Sequence, residues 1–237
     1  MKVQDPHFVL EKIEKYLSED IRPTRHRKAV DIEPWKYLET SMDERIDDAY
    51  PVDYDDSAWQ DFRLWDTWGG YDRVAWFRTK LAVPEDFRGK QLAIRLLPGP
   101  RDGGDSTAEG LLYVNGAPVQ GIDIWHDEAL LEEKLCGEKE LSLALKVWSG
   151  VLVPPKFRTF KVAQLIVLDR KVDRFCFMVD TVMHCARLLK EGDLRRIRLT
   201  KLLNQTFARV NFLNYPGEEY YRSIYEALDF LSAGLDK

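Results

Sequence analysis

The chain has 237 residues, 45% hydrophobic and 32% charged, with a formal net charge of −5. Its length accommodates one large domain, or a domain of about 120–150 residues with appended helices, and its composition is not that of a disordered chain. The acidic balance argues against nucleic acid as a partner, and no stretch approaches the roughly 20 apolar residues of a membrane span.

Cys136, Cys176 and Cys185 form an odd set with no CxxC pair. Neither a disulfide framework nor a zinc knuckle is expected from them, and reduced thiols point to a cytosol. The start, MKVQDPHFVLEKIEKYL, scatters charges where a secretory signal would be apolar. The expected location is cytoplasmic.

In chain order, residues 6–21 read as an amphipathic helix, with Phe8, Val9, Ile13, Tyr16 and Leu17 at helical spacing. Pro23 ends it. Residues 24–40 contain the β-prone run Ala29-Val30-Asp31-Ile32 followed by Pro34. That proline predicts an edge strand or extended arm.

Residues 42–72 are acidic and rich in tryptophan, with Asp43, Asp47, Asp48, Asp53, Asp55, Asp56 and Asp61 beside Trp59, Trp65 and Trp68. The Asp55-Asp56-Ser57-Ala58-Trp59 segment reads as a capped loop closing onto an aromatic anchor. A calcium site or a sugar-stacking platform is the functional alternative.

The organising stretch is residues 109–127, EGLLYVNGAPVQGIDIWHD, where Asn115-Gly116 between apolar runs marks a tight hairpin. Its expected partner is the strand at residues 73–83, with a third strand at residues 91–97 between them. Residues 141–148 alternate as a half-buried strand should, and residues 161–168 supply another. Together these predict an antiparallel β-sandwich. The turn-rich residues 99–105, GPRDGGD, lack the full calcium-loop spacing and read as a bare loop.

Beyond residue 169 the pattern becomes helical, with an apolar stripe from Phe175 to Leu189. A second helix follows an N-cap at Asp193, and a last helix follows Pro216-Gly217. The expected organisation is an N-terminal helix over 1–22, a sandwich over 23–169 and a helical segment over 170–237.

No Gly-x-Ser-x-Gly, Walker, Gly-x-Gly-x-x-Gly or His-Glu-x-x-His motif occurs. His7, His26, His126 and His184 lie far apart in sequence. His184 follows Asp180 by one helical turn, a spacing usual for an ordinary polar contact. His126-Asp127, after Trp125, falls in a predicted rim loop that could touch a ligand or remain a hydrogen-bonded turn. Arg195, Arg196, Arg198 and Lys201 read as a solvated helix face, because no aromatics interleave them. Asn204-Gln205-Thr206 fits a glycosylation sequon but falls mid-helix. Neither a catalytic residue nor a metal ligand can be assigned from these patterns.

Several of these segments resemble the N-terminal portion of glycoside hydrolase family 38 α-mannosidases, of the cytosolic and bacterial type. They are Trp76-Phe77-Arg78 with Val83-Pro84, the Glu109-to-Gly116 run, and Val119-Gln120-Gly121-Ile122-Asp123 with His126. Trp148-Ser149-Gly150 also fits, and the order of strands then helices fits along nearly the whole chain. Tyr-Val-Asn-Gly occurs in jelly-roll domains of other glycosidases too; the Gln-Gly-Ile-Asp extension favours the mannosidase.

The resemblance implies a mostly β fold with flanking helices, a galactose-binding-like jelly roll between an N-terminal helix and a C-terminal helical segment. It implies a zinc-dependent retaining catalytic domain beyond residue 231, whose Gly-His-x-His-x-Asp motif is absent from this sequence. The expected role is therefore a non-catalytic N-terminal domain that holds no cofactor, partners its own catalytic domain and contributes to a homo-oligomer interface. The alternative is a carbohydrate-binding module that reads glycans through Trp65, Trp68, Trp125 and His126. A complete enzyme is the third reading.

Overall fold

The computed structural model describes residues 6–41, 48–99 and 108–236, apart from the side chains of Pro6 and His7. The chain divides into two compact units, residues 28–167 and residues 1–27 with 168–237. Twelve strands appear in order: β1 (His26–Asp31), β2 (Trp35–Ser41), β3 (Gln60–Phe62), β4 (Thr67–Gly69), β5 (Arg73–Ala82) and β6 (Leu92–Leu97). They continue as β7 (Glu109–Val114), β8 (Ala117–Ile122), β9 (Glu128–Leu130), β10 (Glu140–Trp148), β11 (Phe157–Thr159) and β12 (Val162–Leu168).

The strands form a four-stranded sheet ordered β1-β12-β6-β9 and a six-stranded sheet ordered β3-β2-β5-β10-β7-β8. A β11-β4 ribbon completes the set. The recorded pairings are antiparallel. Leu92, Ile94, Leu96 and Leu165 of one sheet share a core with Phe77, Leu112, Leu143 and Leu145 of the other. This is the expected sandwich, because alternate residues of each strand face the same side of the sheet.

The Asn115-Gly116 turn joins β7 to β8, and both residues take positive φ, 50° and 78°. That geometry matches the right-handed twist of a hairpin and suits Asn-Gly. The expected pairing of this hairpin with β5 is corrected: β10 lies between them, bonded to both. The half-buried reading of β10 is corrected too, since Leu141 through Leu145 are buried on both faces.

The physical reason is a lid on the outer face of the six-stranded sheet. Ala49 and Trp59 pack there on Trp76 and Ala144, joined by Tyr50, Tyr54 and Tyr113. Tyr50 stacks on Tyr113 at 4.9 Å, and Tyr54 meets Trp59 edge-on at 5.5 Å. The acidic stretch is thus a structural cover, with Trp59 as its anchor. Arg78, buried in β5, fastens it: its Nε donates to Asp56 Oδ2 at 2.8 Å and its Nη1 to the Ala49 carbonyl.

Residues 24–40 hold the expected edge strand, β1, and a second strand that is not at an edge. A cis Glu33–Pro34 bond separates β1, at the edge of one sheet, from β2, which lies inside the other between β3 and β5. Pro34 thus sits in the junction, where it needs no ladder donor. Asp43, Asp47 and most of the 99–105 loop lie outside the described residues.

In the other unit, α1 (Pro6–Lys15) runs on as π-helical turns through Ile21. It shares a core with α2 (Arg170–Leu188), α3 (Leu194–Phe207) and α4 (Glu218–Leu235). Asp169 caps α2 through the amides of Lys171 and Val172, and Asp193 caps α3 as expected. The N-terminal helix, expected as a segment by itself, supplies Val9, Leu10, Ile13 and Leu17 to this core. Burial pushes the Cys176 thiol within it up to about 12.

Asp56→Ala leaves a buried guanidinium without its carboxylate, and is expected to cost about 3 kcal/mol. Asp55→Ala removes only exposed turn bonds to Ser57, and is expected to leave stability nearly unchanged. Urea denaturation followed by tryptophan fluorescence compares the two; equal losses would mean Arg78 does not fasten the lid.

Candidate functional site

The most exposed aromatic side chain of the sandwich is built by a five-residue link, residues 123–127, that carries the chain from β8 to β9 and so from one sheet to the other. Asp123 shapes it as an Asx turn: Oδ1 accepts from the amides of Trp125 at 2.6 Å and His126 at 2.8 Å. The His126 Nδ1 lies 3.0 Å from both carboxylate oxygens. The imidazole, more than the two amides, holds the Asp123 carboxyl below its usual range.

The far end of the link is tied as well. The Asp127 carbonyl accepts from the Leu96 amide at 2.8 Å, and its carboxylate pairs with Arg95 at 3.1 Å. Gln120 reaches across from β8 to donate to the Glu128 carbonyl at 3.1 Å. A backbone pinned at both ends therefore presents the Trp125 ring, 82% exposed, to solvent.

Trp65 is 68% exposed in the β3–β4 connection. Its φ of 75° is the left-handed conformation, uncommon for so bulky a residue. Its amide donates to the Phe160 carbonyl at 2.8 Å, and Asp66 closes the turn onto the Arg63 amide at 2.8 Å. Phe160 precedes β12 by two residues, at the end of the sheet where Val162 faces Leu97. Because the Asp127 carbonyl holds Leu96, the two tryptophan loops are anchored at the same end of the four-stranded sheet, on either side of β6.

Trp68 does not belong to this surface. It is buried, donates through Nε1 to the Pro98 carbonyl at 2.7 Å and meets Phe77 edge-on at 5.8 Å. The strand alternation of β4 turns it into the core while Thr67 faces out, so its ring has no face for a sugar. Of the four residues singled out from the sequence, Trp65, Trp125 and His126 are exposed and Trp68 is a core residue. Sequence reasoning missed Asp123 as the residue that positions the other two; the Asp-x-Trp-His spacing was the available signal.

A polar cleft of about 560 Å³ lies between Lys36, the 53–57 loop, Asp61 and Lys80. Three of its carboxylates are engaged: Asp56 with Arg78, Asp61 with Lys36 at 2.8 Å, and Asp55 with the Ser57 amide at 3.0 Å. Among the described residues no three His, Cys, Asp or Glu side chains converge as a metal ion requires. Asp180 pairs with Arg22 at 2.6 Å, and His184 is exposed. The 123–127 link offers an aromatic face, a carboxylate and an imidazole, which is equipment for recognising a hydroxylated ring.

Residues 33–148, just under half of the chain, match the family model described as alpha-mannosidase, jelly roll domain. The match supports a mannosidase-related domain over those residues. A search of curated proteins found no match. Among solved structures, a calcium-binding mutant of Bacteroides uniformis beta-glucuronidase 2 is 18% identical, with a TM-score of 0.44 over 59% of this chain and 18% of that one. A glycosyl hydrolase family 2 member from Bacteroides cellulosilyticus is 14% identical, with a TM-score of 0.45 over 61% and 21%. The chain thus spans about a fifth of the length of those proteins.

The depressed Asp123 carboxyl gives the loop a signed pH response. Order contributed by the ionised form is complete above the ordinary carboxylate value of 3.8 and is lost as pH falls through the lower folded-state value. In an NMR titration the Asp123 side-chain carboxyl carbon should titrate with a midpoint below that ordinary value. A midpoint at or above it would contradict the pinned loop.

Proposed function

We propose that the chain is the non-catalytic N-terminal jelly-roll region of a cytoplasmic α-mannosidase of glycoside hydrolase family 38. In this reading it supports a zinc-dependent catalytic domain of the same protein and its oligomeric assembly. The observation that carries the reading is the match of residues 33–148 to the mannosidase jelly-roll model, in a sandwich whose strands agree with it.

A second reading rests on Trp125. A wide ring held in solvent by a loop tied at both ends loses little entropy on stacking against a sugar, and Asp123 and His126 stand ready to bond hydroxyls. The domain would then recruit glycan to the enzyme.

The purified 237-residue chain should not turn over a chromogenic α-mannoside, with or without added zinc. Turnover that tracks with the protein peak would overturn the non-catalytic reading. Titration of mannose and short α-mannosides, followed by heteronuclear NMR, tests the second. Recognition predicts saturable shifts at the Trp125 indole and a loss of about tenfold in affinity, ~1.4 kcal/mol, in Trp125→Ala with the fold intact. No shift at millimolar sugar leaves the supporting role alone.

A further inference from the structure

The helical unit buries its own apolar stripes, yet one apolar surface remains open along α2, α3 and the end of α4. A groove of about 620 Å³ is lined by Leu188, Leu199, Leu202 and Leu235, with Arg195 and Arg198 on its wall. α3 and α4 approach closely at its floor, where a Cβ on Gly234 would fall 2.4 Å from Leu202 Cδ1. Leu188, at the groove, is 74% exposed, and outside it Leu194 is 75% exposed, with Ile197 exposed as well.

The charge around this surface is of one sign on α3. That helix carries Arg195, Arg196, Arg198 and Lys201 and no acidic residue. Three arginines in its first turns oppose the helix dipole, an arrangement that costs stability unless an anion answers it. Asp193 answers Arg195 at 2.7 Å, and Arg196 donates to the Leu189 carbonyl at 3.3 Å. Arg198 has no ion-pair partner among the described residues.

We propose that this groove is a docking site for an amphipathic helix of a separate polypeptide, one whose apolar stripe is flanked by glutamates or aspartates. Leucine anchors at i, i+3 or i+4 and i+7 fill the groove, and the flanking acids meet Arg198 and Lys201. The exposed apolar side chains beyond the groove discriminate against an acyl chain, which would fill the groove but leave Leu194 and Ile197 in water. Charge discriminates against a second copy. An isologous contact sets one basic α3 against another, and the exposed face of α4 offers Arg222, Glu226 and Asp229 without an apolar stripe. The inference is independent of any carbohydrate recognition by the sandwich.

The test uses the full chain and a synthetic helical peptide of about four turns, with leucines at the anchor positions and glutamates elsewhere. Its lysine-flanked counterpart, sodium oleate and sedimentation velocity of the protein alone complete the set. The glutamate peptide should bind saturably, with methyl shifts at Leu188, Leu199 and Leu202. Arg198→Glu should weaken it about tenfold and strengthen the lysine peptide, and Leu188→Ser should weaken both. Both substitutions are at exposed positions, and an unchanged melting curve confirms the fold. No binding, equal binding of the two peptides, or insensitivity to Arg198→Glu would overturn the proposal. So would oleate binding in place of the peptide, or self-association that Leu188→Ser abolishes.

Discussion

The sandwich depends on one buried cation. Arg78 lies in β5, near the middle of the six-stranded sheet, and a guanidinium there is tolerable only if its donors are satisfied. Asp56 and the Ala49 carbonyl satisfy it, and the Arg78 guanidinium also lies 5.3 Å from the centre of the Tyr54 ring. Meeting that demand draws the 48–59 segment across the sheet and seats Trp59 over Trp76 and Ala144. The sheet is then closed on its outer face as well as on its core face. Asp56, one of the aspartates that could suggest a cation site, is committed instead to holding that cover in place.

With the outer face covered, the exposed recognition chemistry of the sandwich lies on its loops. The 123–127 link steps from one sheet to the other and is tied to β6 and β8 on the way. Asp123 is spent on two backbone amides and the His126 imidazole, and Asp127 on the Leu96 amide and Arg95, while the Trp125 ring stands in solvent. Trp65 is exposed for a related reason, because a left-handed turn bonded to Phe160 directs it out of the sheet.

The helical unit follows a different economy. Four helices suffice to bury Phe175, Tyr220, Ile224 and Leu231, so the long apolar stripes of its sequence do not require an outside surface. What remains open is a narrower surface on the far side of α3, and its single sign of charge gives it a preference that a purely apolar patch would lack.

Local chemistry was legible in the sequence. Asn115-Gly116 demanded a hairpin because both residues accept positive φ. Asp193 demanded a helix start, and alternating strands with Pro-Gly punctuation demanded a sandwich. These readings concern residues a few positions apart, where sterics and capping decide. The order of strands was not legible: nothing near residue 140 says that β10 inserts between β5 and β7, because that pairing is fixed by which strand can be buried on both faces. The candidate site divides the same way. Sequence marked Trp125 and His126 as a rim loop, but Trp65 and Trp68, three residues apart in one aromatic stretch, look alike as letters. Only the tertiary structure separates them, by turning one into solvent on a left-handed turn and the other inward, where the Pro98 carbonyl waits for its indole hydrogen.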